Sequence, residues 1–427
     1  MIPDRPATDE ELLESIQRNV CNRNKDLASL IKIINYASRN SIIMALDGEW
    51  GSGKTYLIRQ LDLIWKRNDN LLSNIGISDK DLGFLRNKIV PFYYNAWEND
   101  YSMDACQSLL LALSESLTEN KNIIEQSERK LVQSVDIKSF IEDKTHGLIN
   151  FNNAESGKQV AKYATEANKS KKLREIISEM VDKKLQLKDD CKLLFIIDDL
   201  DRCRPEYALN LIEAIKNCFS NNRITFLVAT NFSELGEIIR GYYGGFIDGH
   251  QYLDRIFDLK IKLNDIDQDS YIRYRMPRLE TYAINNIAAG LRLNMRELNR
   301  LLNIVSLYES YLENSYIFTH DQTFHNICRY IFMPIFVGYK IKKYSVYEEL
   351  VSGKGYRNIS DYFDNNKEMR GYATKLSGVT TQDEVKNINS IIEMYYKKLF
   401  SDDNTDKHEA NQSFWNVLNL MSSSLDL

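Results

Sequence analysis

Apolar positions along the chain follow two rhythms, a three-and-four spacing and short unbroken runs, which together predict amphipathic helices alternating with buried strands. Residues 9–40 repeat Leu27, Leu30, Ile31 and Ile34 with polar residues between them, a helical period. The run Ile42-Ile43-Met44-Ala45-Leu46 predicts a first strand, and Tyr56-Leu57-Ile58-Arg59-Gln60-Leu61 returns to helix. Past a polar connector over residues 69–81, Ile89-Val90-Pro91-Phe92-Tyr93-Tyr94 reads as a strand, with Pro91 marking a strand start or a sheet edge. Leu193-Leu194-Phe195-Ile196-Ile197 ends in Asp198-Asp199, as expected of a strand buried on both faces of a parallel sheet. A helix over residues 205–219 precedes another apolar strand, Ile224-Thr225-Phe226-Leu227-Val228-Ala229, which ends on Thr230-Asn231. Phe257-Asp258-Leu259-Lys260-Ile261-Lys262-Leu263 alternates with period two and predicts a half-exposed edge strand.

Two stretches break this alternation. Residues 103–190 are helical in pattern and increasingly polar, which predicts an insertion; its lysine-rich stretches at 169–173 and 183–188 read as solvated helix faces, and residues 147–158 as a flexible loop. From residue 267 onward the periodicity is helical and rich in tyrosine, so the last third is expected to be all-α, with a frayed tail at 422–427. The fold class is therefore α/β, a parallel sheet with added helices.

Composition narrows the class. A chain of 427 residues exceeds the size of one hydrophobic core and predicts two or three domains. Six prolines and eighteen glycines beside 43% hydrophobic residues predict an ordered, mostly helical protein. A formal charge of −5, from 55 basic and 60 acidic side chains, supplies no global field toward nucleic acid or an anionic membrane. The six cysteines are scattered without C-x-x-C spacing, which fits a reducing compartment, with the cytoplasm as default, and opposes a structural zinc site. Residues 1–14 are acidic and lack the apolar run of a secretory signal. The most apolar segment, residues 330–339, contains Pro334 and falls far short of the ~20 residues needed to cross a bilayer, so it predicts buried core.

The chemistry lies in Gly48-Glu49-Trp50-Gly51-Ser52-Gly53-Lys54-Thr55, a G-x-x-x-x-G-K-S/T spacing between a predicted strand and a predicted helix that Tyr56 to Leu61 carry onward. Such a turn bends backbone N–H groups around a polyphosphate, and the helix N-terminus adds favourable partial charge. Lys54 is expected to reach the β- and γ-phosphates of ATP, and the Thr55 hydroxyl to take one position on Mg²⁺. Downstream, Asp198 ends its strand where it can hold the ion or an ion-bound water, while Asp199, Asp201 or both orient the attacking water. Glu98 is a weaker candidate for that role. Asn231 stands where an amide can sense the γ-phosphate. Arg202, Arg255 and Arg296 are candidates for completing the charge in the transition state. Arg296 shares a helix face with Arg300, opposite the apolar stripe Met295, Leu298, Leu301 and Leu302.

These residues resemble one family, the KAP group of P-loop NTPases, over about residues 20–305. The resemblance rests on the phosphate loop with Trp50 before its second glycine, on Asn95-Ala96-Trp97, and on Ile196-Ile197-Asp198-Asp199-Leu200-Asp201-Arg202-Cys203. Tyr252-Leu253-Asp254-Arg255-Ile256-Phe257 and the pair Arg296 and Arg300 complete it. It implies a P-loop NTPase sheet at residues 41–266 with the insertion at 103–190, preceded by a helical segment at 1–40. A helical lid at 267–310 and an all-α region at 311–427 would follow. The resemblance further implies MgATP bound by Lys54, Thr55 and Asp198, hydrolysis supported by Asp199 and Asp201, and Arg296 as a sensor in the lid. Many members carry transmembrane helices inside the NTPase domain, whereas residues 103–190 here are polar, so no integral membrane segment is expected. The arginine motif also lacks the proline often found before that arginine.

By the same resemblance, nucleotide state controls contact with a protein partner or effector, or self-association, and bacterial members resemble phage-exclusion proteins. The expected function is thus a nucleotide-driven ATPase switch in antiphage defence. Two alternatives stand beside it. One is an ATP-gated scaffold that does not hydrolyse. The other is a nucleic-acid-associated ATPase, drawing on Arg273, Arg275, Arg278 and Arg292 interleaved with Tyr271, Tyr274 and Tyr282; helix surface and core tyrosines account for that cluster more simply.

Overall fold

Five strands form one parallel sheet: β1 (Ile43–Asp47), β2 (Ile89–Asn95), β3 (Lys192–Asp198), β4 (Ile224–Thr230) and β5 (Leu259–Lys262). Their spatial order is β2-β3-β4-β1-β5. Alternate residues of the central strands enter two different cores, which is why those strands read as continuous apolar runs. Leu193, Phe195 and Ile197 of β3, with Phe226 and Val228 of β4, face one core; Leu194 and Ile196, with Leu227 and Ala229, face the other. At the edges the pattern relaxes. In β5 the partly buried Leu259 and Ile261 alternate with exposed Lys260 and Lys262, and β2 carries Pro91 on the opposite edge.

The computed structural model describes residues 7–67, 75–101, 104–119, 144, 166–184, 191–217, 219, 221–277, 279–314, 322–378, 388–400 and 414–419. The proposed loop at 147–158, the tail at 422–427, and Cys218 and Arg278 lie outside these residues. The chain divides into two compact units, Ala7–Asp265 and Ile266–Leu427.

In the first unit, helices α1 (Asp9–Gln17), α2 (Asn24–Asn40), α3 (Lys54–Lys66) and α4 (Asp79–Lys88) cover one face of the sheet. The other face is covered by α5 (Ala105–Glu119), α6 (Glu166–Glu179), α7 (Pro205–Asn217), α8 (Phe232–Tyr242) and α9 (Gly249–Asp254). Helix α4 occupies part of the stretch expected as connector. The Ser78 hydroxyl accepts from the Asp81 N–H at its start, and acidic residues in its first turn and basic ones in its last suit the helix dipole.

The described elements of the second unit are helices, among them α10 (Gln268–Arg275), α11 (Tyr282–Gly290), α12 (Met295–Asn314), α13 (Gln322–Ile327), α14 (Met333–Lys342), α15 (Tyr344–Val351), α16 (Tyr356–Asp364), α17 (Lys367–Leu376) and α18 (Ile388–Lys398). One core runs from Ile272 to Leu418. The apolar segment ahead of and within α14 lies at its centre, with Ile331, Phe332, Met333, Ile335, Phe336 and Val337 all buried. Among the described residues no helix is long and apolar enough to cross a membrane.

Candidate functional site

Adjacent strands β1 and β4 send their following helices to opposite faces, α3 into one core and α8 into the other. A crevice opens at such a point beyond the carboxyl ends of the strands, the usual ligand position in open parallel sheets. Asp47 and Thr230 are register partners at the carboxyl ends of these two strands. Between β1 and α3 lies the loop Gly48-Glu49-Trp50-Gly51-Ser52-Gly53, which closes on itself through Ser52 N–H to the Glu49 carbonyl at 3.1 Å. Gly53 takes a left-handed φ of 87° that a side chain would strain, and Lys54 begins α3 directly after it.

Lys54 is only 9% exposed, and its Nζ donates to the carbonyls of Gly48 at 2.5 Å and Glu49 at 3.2 Å. Burial pushes its pKa below the ordinary lysine value, against the pull of Asp201, Asp198, Asp47 and Asp199. Four carboxylates thus act on one ammonium through space. Asp198, at the end of β3, is 1% exposed, and its pKa is raised by burial and by the neighbouring Asp199. Hydrogen bonds from the Thr55 hydroxyl, the Asp199 N–H at 2.9 Å and the Tyr93 hydroxyl at 3.3 Å oppose that rise. Thr55 and Asp198, expected to share a magnesium ion, are in direct contact.

The residues after Asp198 are tightly held. Asp199 adopts a left-handed φ of 57° and pairs through Oδ1 with Arg202 Nε at 3.1 Å, and the Arg202 guanidinium lies 5.7 Å from the centre of the Trp97 ring. Asp201 is buried and accepts a hydrogen bond from the indole of Trp50. Glu98 is exposed and accepts from Asn95 Nδ2 at 2.8 Å, in a turn attached to β3 through Ala96 N–H to the Asp198 carbonyl at 2.9 Å. Burial pushes the nearby Cys203 thiol up to about 12, which removes it as a nucleophile near neutral pH.

Other expected residues fall elsewhere. Asn231 caps α8, its Oδ1 accepting from the N–H groups of Ser233 and Glu234. Arg255 caps the end of α9 and lines a cavity of about 450 Å³ with Ser41, Lys216 and Asp258 near the start of β1. Arg296 and Arg300 lie exposed in the first turns of α12, in the second unit. Arg273 pairs with Asp269 at 2.5 Å, and Arg275 bonds the Tyr271 hydroxyl, Asn299 and Asn303. Arg273 and Arg275 are therefore engaged by side chains of their own unit. Sequence reasoning missed Tyr93 and Arg23. Tyr93 was discoverable as the outward member between inward-facing Phe92 and Tyr94; Arg23 carries no local signal.

The cradle fits a magnesium-bound polyphosphate. A Cβ on Gly48 would come within 2.5 Å of Ser52 Oγ, so the loop is as close as glycine permits. The Ser52 and Thr230 hydroxyls are buried without a hydrogen-bond partner, one in the loop and one at the crevice. Orphaned buried hydroxyls are costly unless a ligand pairs with them, and phosphate oxygens suit that role. The donor set, one hydroxyl and carboxylates, suits the oxygen preference of Mg²⁺. Among the described residues no group of three or more His, Cys, Asp or Glu side chains is placed to hold a metal ion.

A family model described as the KAP family P-loop domain matches residues 23–312. No curated protein matches the chain.

Proposed function

The chain belongs to the KAP family of P-loop NTPases, and from that membership we propose that it hydrolyses MgATP to ADP and phosphate and uses the nucleotide state as a switch. The observation that carries the reading is the convergence of Lys54, Thr55 and Asp198 at one loop, with Thr55 and Asp198 hydrogen-bonded across the sheet ends.

Phosphoryl transfer needs positioning and charge neutralisation more than covalent help. The N–H groups of Glu49, Trp50, Gly51, Gly53 and Thr55, the Ser52 hydroxyl, and Tyr56 at the start of the helix form the cradle. Lys54 exchanges its bonds to the loop carbonyls for β- and γ-phosphate oxygens. Thr55 and Asp198 hold Mg²⁺, which when bound neutralises charge on the phosphates. Asp199 and Asp201 orient and polarise the attacking water. Asn231 has committed its side-chain oxygen to capping, so its amide nitrogen is the group it offers to a γ-phosphate. Arg296 acts as the sensor arginine of the second unit. Residues 1–40 support the NTPase core of 41–266, residues 267–310 form the lid, and residues 311–427 engage a protein partner or a second copy. Antiphage defence in a bacterial cytoplasm is the setting that the family resemblance suggests.

Calorimetry tests the binding step: Lys54→Ala abolishes MgATP binding, and undiminished affinity in that variant refutes the assignment. Single-turnover phosphate release tests hydrolysis, because an ATP-gated scaffold would bind without releasing phosphate. The scaffold reading has one observation in its favour, the engagement of Asp199 by Arg202 and of Asp201 by Trp50.

A further inference from the structure

Arg23 is 5% exposed and occupies a point where three elements meet. Its Nη2 donates to the Ser52 carbonyl of the phosphate loop at 2.7 Å, and its Nη1 donates to the Asn264 carbonyl beyond β5 at 2.9 Å. Nη1 also pairs with Asp26, itself 8% exposed, and the other oxygen of Asp26 accepts from Asn264 Nδ2 at 2.5 Å. A planar guanidinium suits this arrangement, since its fork serves several acceptors at fixed angles where an ammonium acts as a point charge.

The backbone just before Arg23 is unusual. Asn19, Cys21 and Asn22 have φ of 50°, 60° and 56°, left-handed values that non-glycine residues adopt at a cost. Side chains hold the turn in place: Asn19 Nδ2 donates to Asn22 Oδ1 at 3.1 Å, and Asn19 Oδ1 accepts from the Asn24 N–H at 3.0 Å. The strained turn delivers Arg23 to the start of α2, against the loop.

We propose that Arg23 is a positioning residue for nucleotide binding: by holding the Ser52 carbonyl, it fixes the Ser52–Gly53 peptide plane and aims the Gly53 N–H toward the bound phosphate. The reason is covalent. In a planar trans peptide the C=O and the following N–H point in opposite directions, so anchoring one orients the other. Gly53 alone leaves that plane free to rotate, because glycine tolerates both signs of φ. Asp26 and Asn264 hold the guanidinium in register.

The proposal rests on the phosphate-cradle reading, and the test separates the two. MgATP affinity of the full chain is measured by calorimetry for wild type, Arg23→Gln, Arg23→Lys and Asn264→Ala, with thermal unfolding of each recorded without nucleotide. Arg23→Gln is expected to weaken affinity about ten- to a hundredfold, as for loss of a charge-assisted hydrogen bond. Arg23→Lys restores charge without the fork and recovers only part of the loss. Asn264→Ala, at an exposed residue, weakens affinity by a smaller factor with an unchanged melting temperature. Removing one member of a buried ion pair can unfold a protein; if Arg23→Gln does not fold, Asn264→Ala decides. Wild-type affinity in the folded variants overturns the positioning role and leaves the cradle standing, provided Lys54→Ala has lost binding. A wild-type chain that binds no MgATP overturns both.

Discussion

The indole N–H of Trp50, in the phosphate loop, donates to the carboxylate of Asp201, 151 positions later in the chain. Trp50 is otherwise half exposed, so the ring is not there to fill the core. The bond ties the loop to the turn that follows Asp198 at the end of β3. Loss of the donor in Trp50→Phe is expected to lower kcat about tenfold, the scale of a hydrogen bond to a charged group, with little change in MgATP affinity. Steady-state phosphate release beside calorimetry gives both numbers; equal loss in both would place Trp50 in ground-state binding instead.

Asp199→Asn keeps the shape of the turn and removes the carboxylate. MgATP should bind nearly as in wild type while turnover falls about a hundredfold or more, the range of lost water activation. Normal phosphate release from this variant would move the role to Asp201 or Glu98.

Acid and base should affect binding from opposite sides. Burial raises the pKa of Asp198, so if this carboxylate holds Mg²⁺ as proposed, protonation below that raised value should weaken affinity at a higher pH than an ordinary carboxylate would set. Burial lowers that of Lys54, so affinity also falls on the alkaline side before the usual lysine range. Calorimetry across pH should give a bell.

Stability of the nucleotide-free chain has the reverse sign at Asp198. The folded state holds this proton more tightly than the unfolded chain, so the group's contribution declines as pH rises from the ordinary carboxylate value through its folded pKa. Asp198→Asn should flatten that part of the melting-temperature profile. An unchanged profile in the variant would show that Asp198 is not the titrating group.

Gly249 opens α9 so close to α8 that a Cβ there would lie 1.9 Å from the Gly236 carbonyl oxygen. Because the obstacle is backbone, Gly249→Ala should cost about 1–3 kcal/mol or more, read as a lower denaturant midpoint. Gly371, with open space around its Cβ position, is the control and should tolerate alanine.

Much of this was legible before folding was considered. The run from Leu193 to Ile197 announced a strand buried on both faces, and alternation over residues 257–263 announced an edge. The spacing from Gly48 to Thr55 announced a P-loop motif, and the loop does stand between β1 and α3. Period and motif are local properties, written within one turn or one strand. Helix α4 was less visible, because its short apolar face, Leu82 and Leu85, sits among charges.

By itself, then, the sequence determined where most strands and helices fall, where the G-x-x-x-x-G-K-S/T loop stands between a strand and a helix, and which carboxylate ends β3. Tertiary structure alone decided that β4, late in the chain, lies between β1 and β3, and that α3 and α8 leave on opposite faces to open the crevice. It also decided that Asn231 caps a helix, that Thr230 keeps an orphaned hydroxyl, and that Arg23 grips Ser52. The reason is that local periodicity records which side of an element is apolar, whereas strand order and side-chain pairing across the fold emerge only when those apolar sides are buried together.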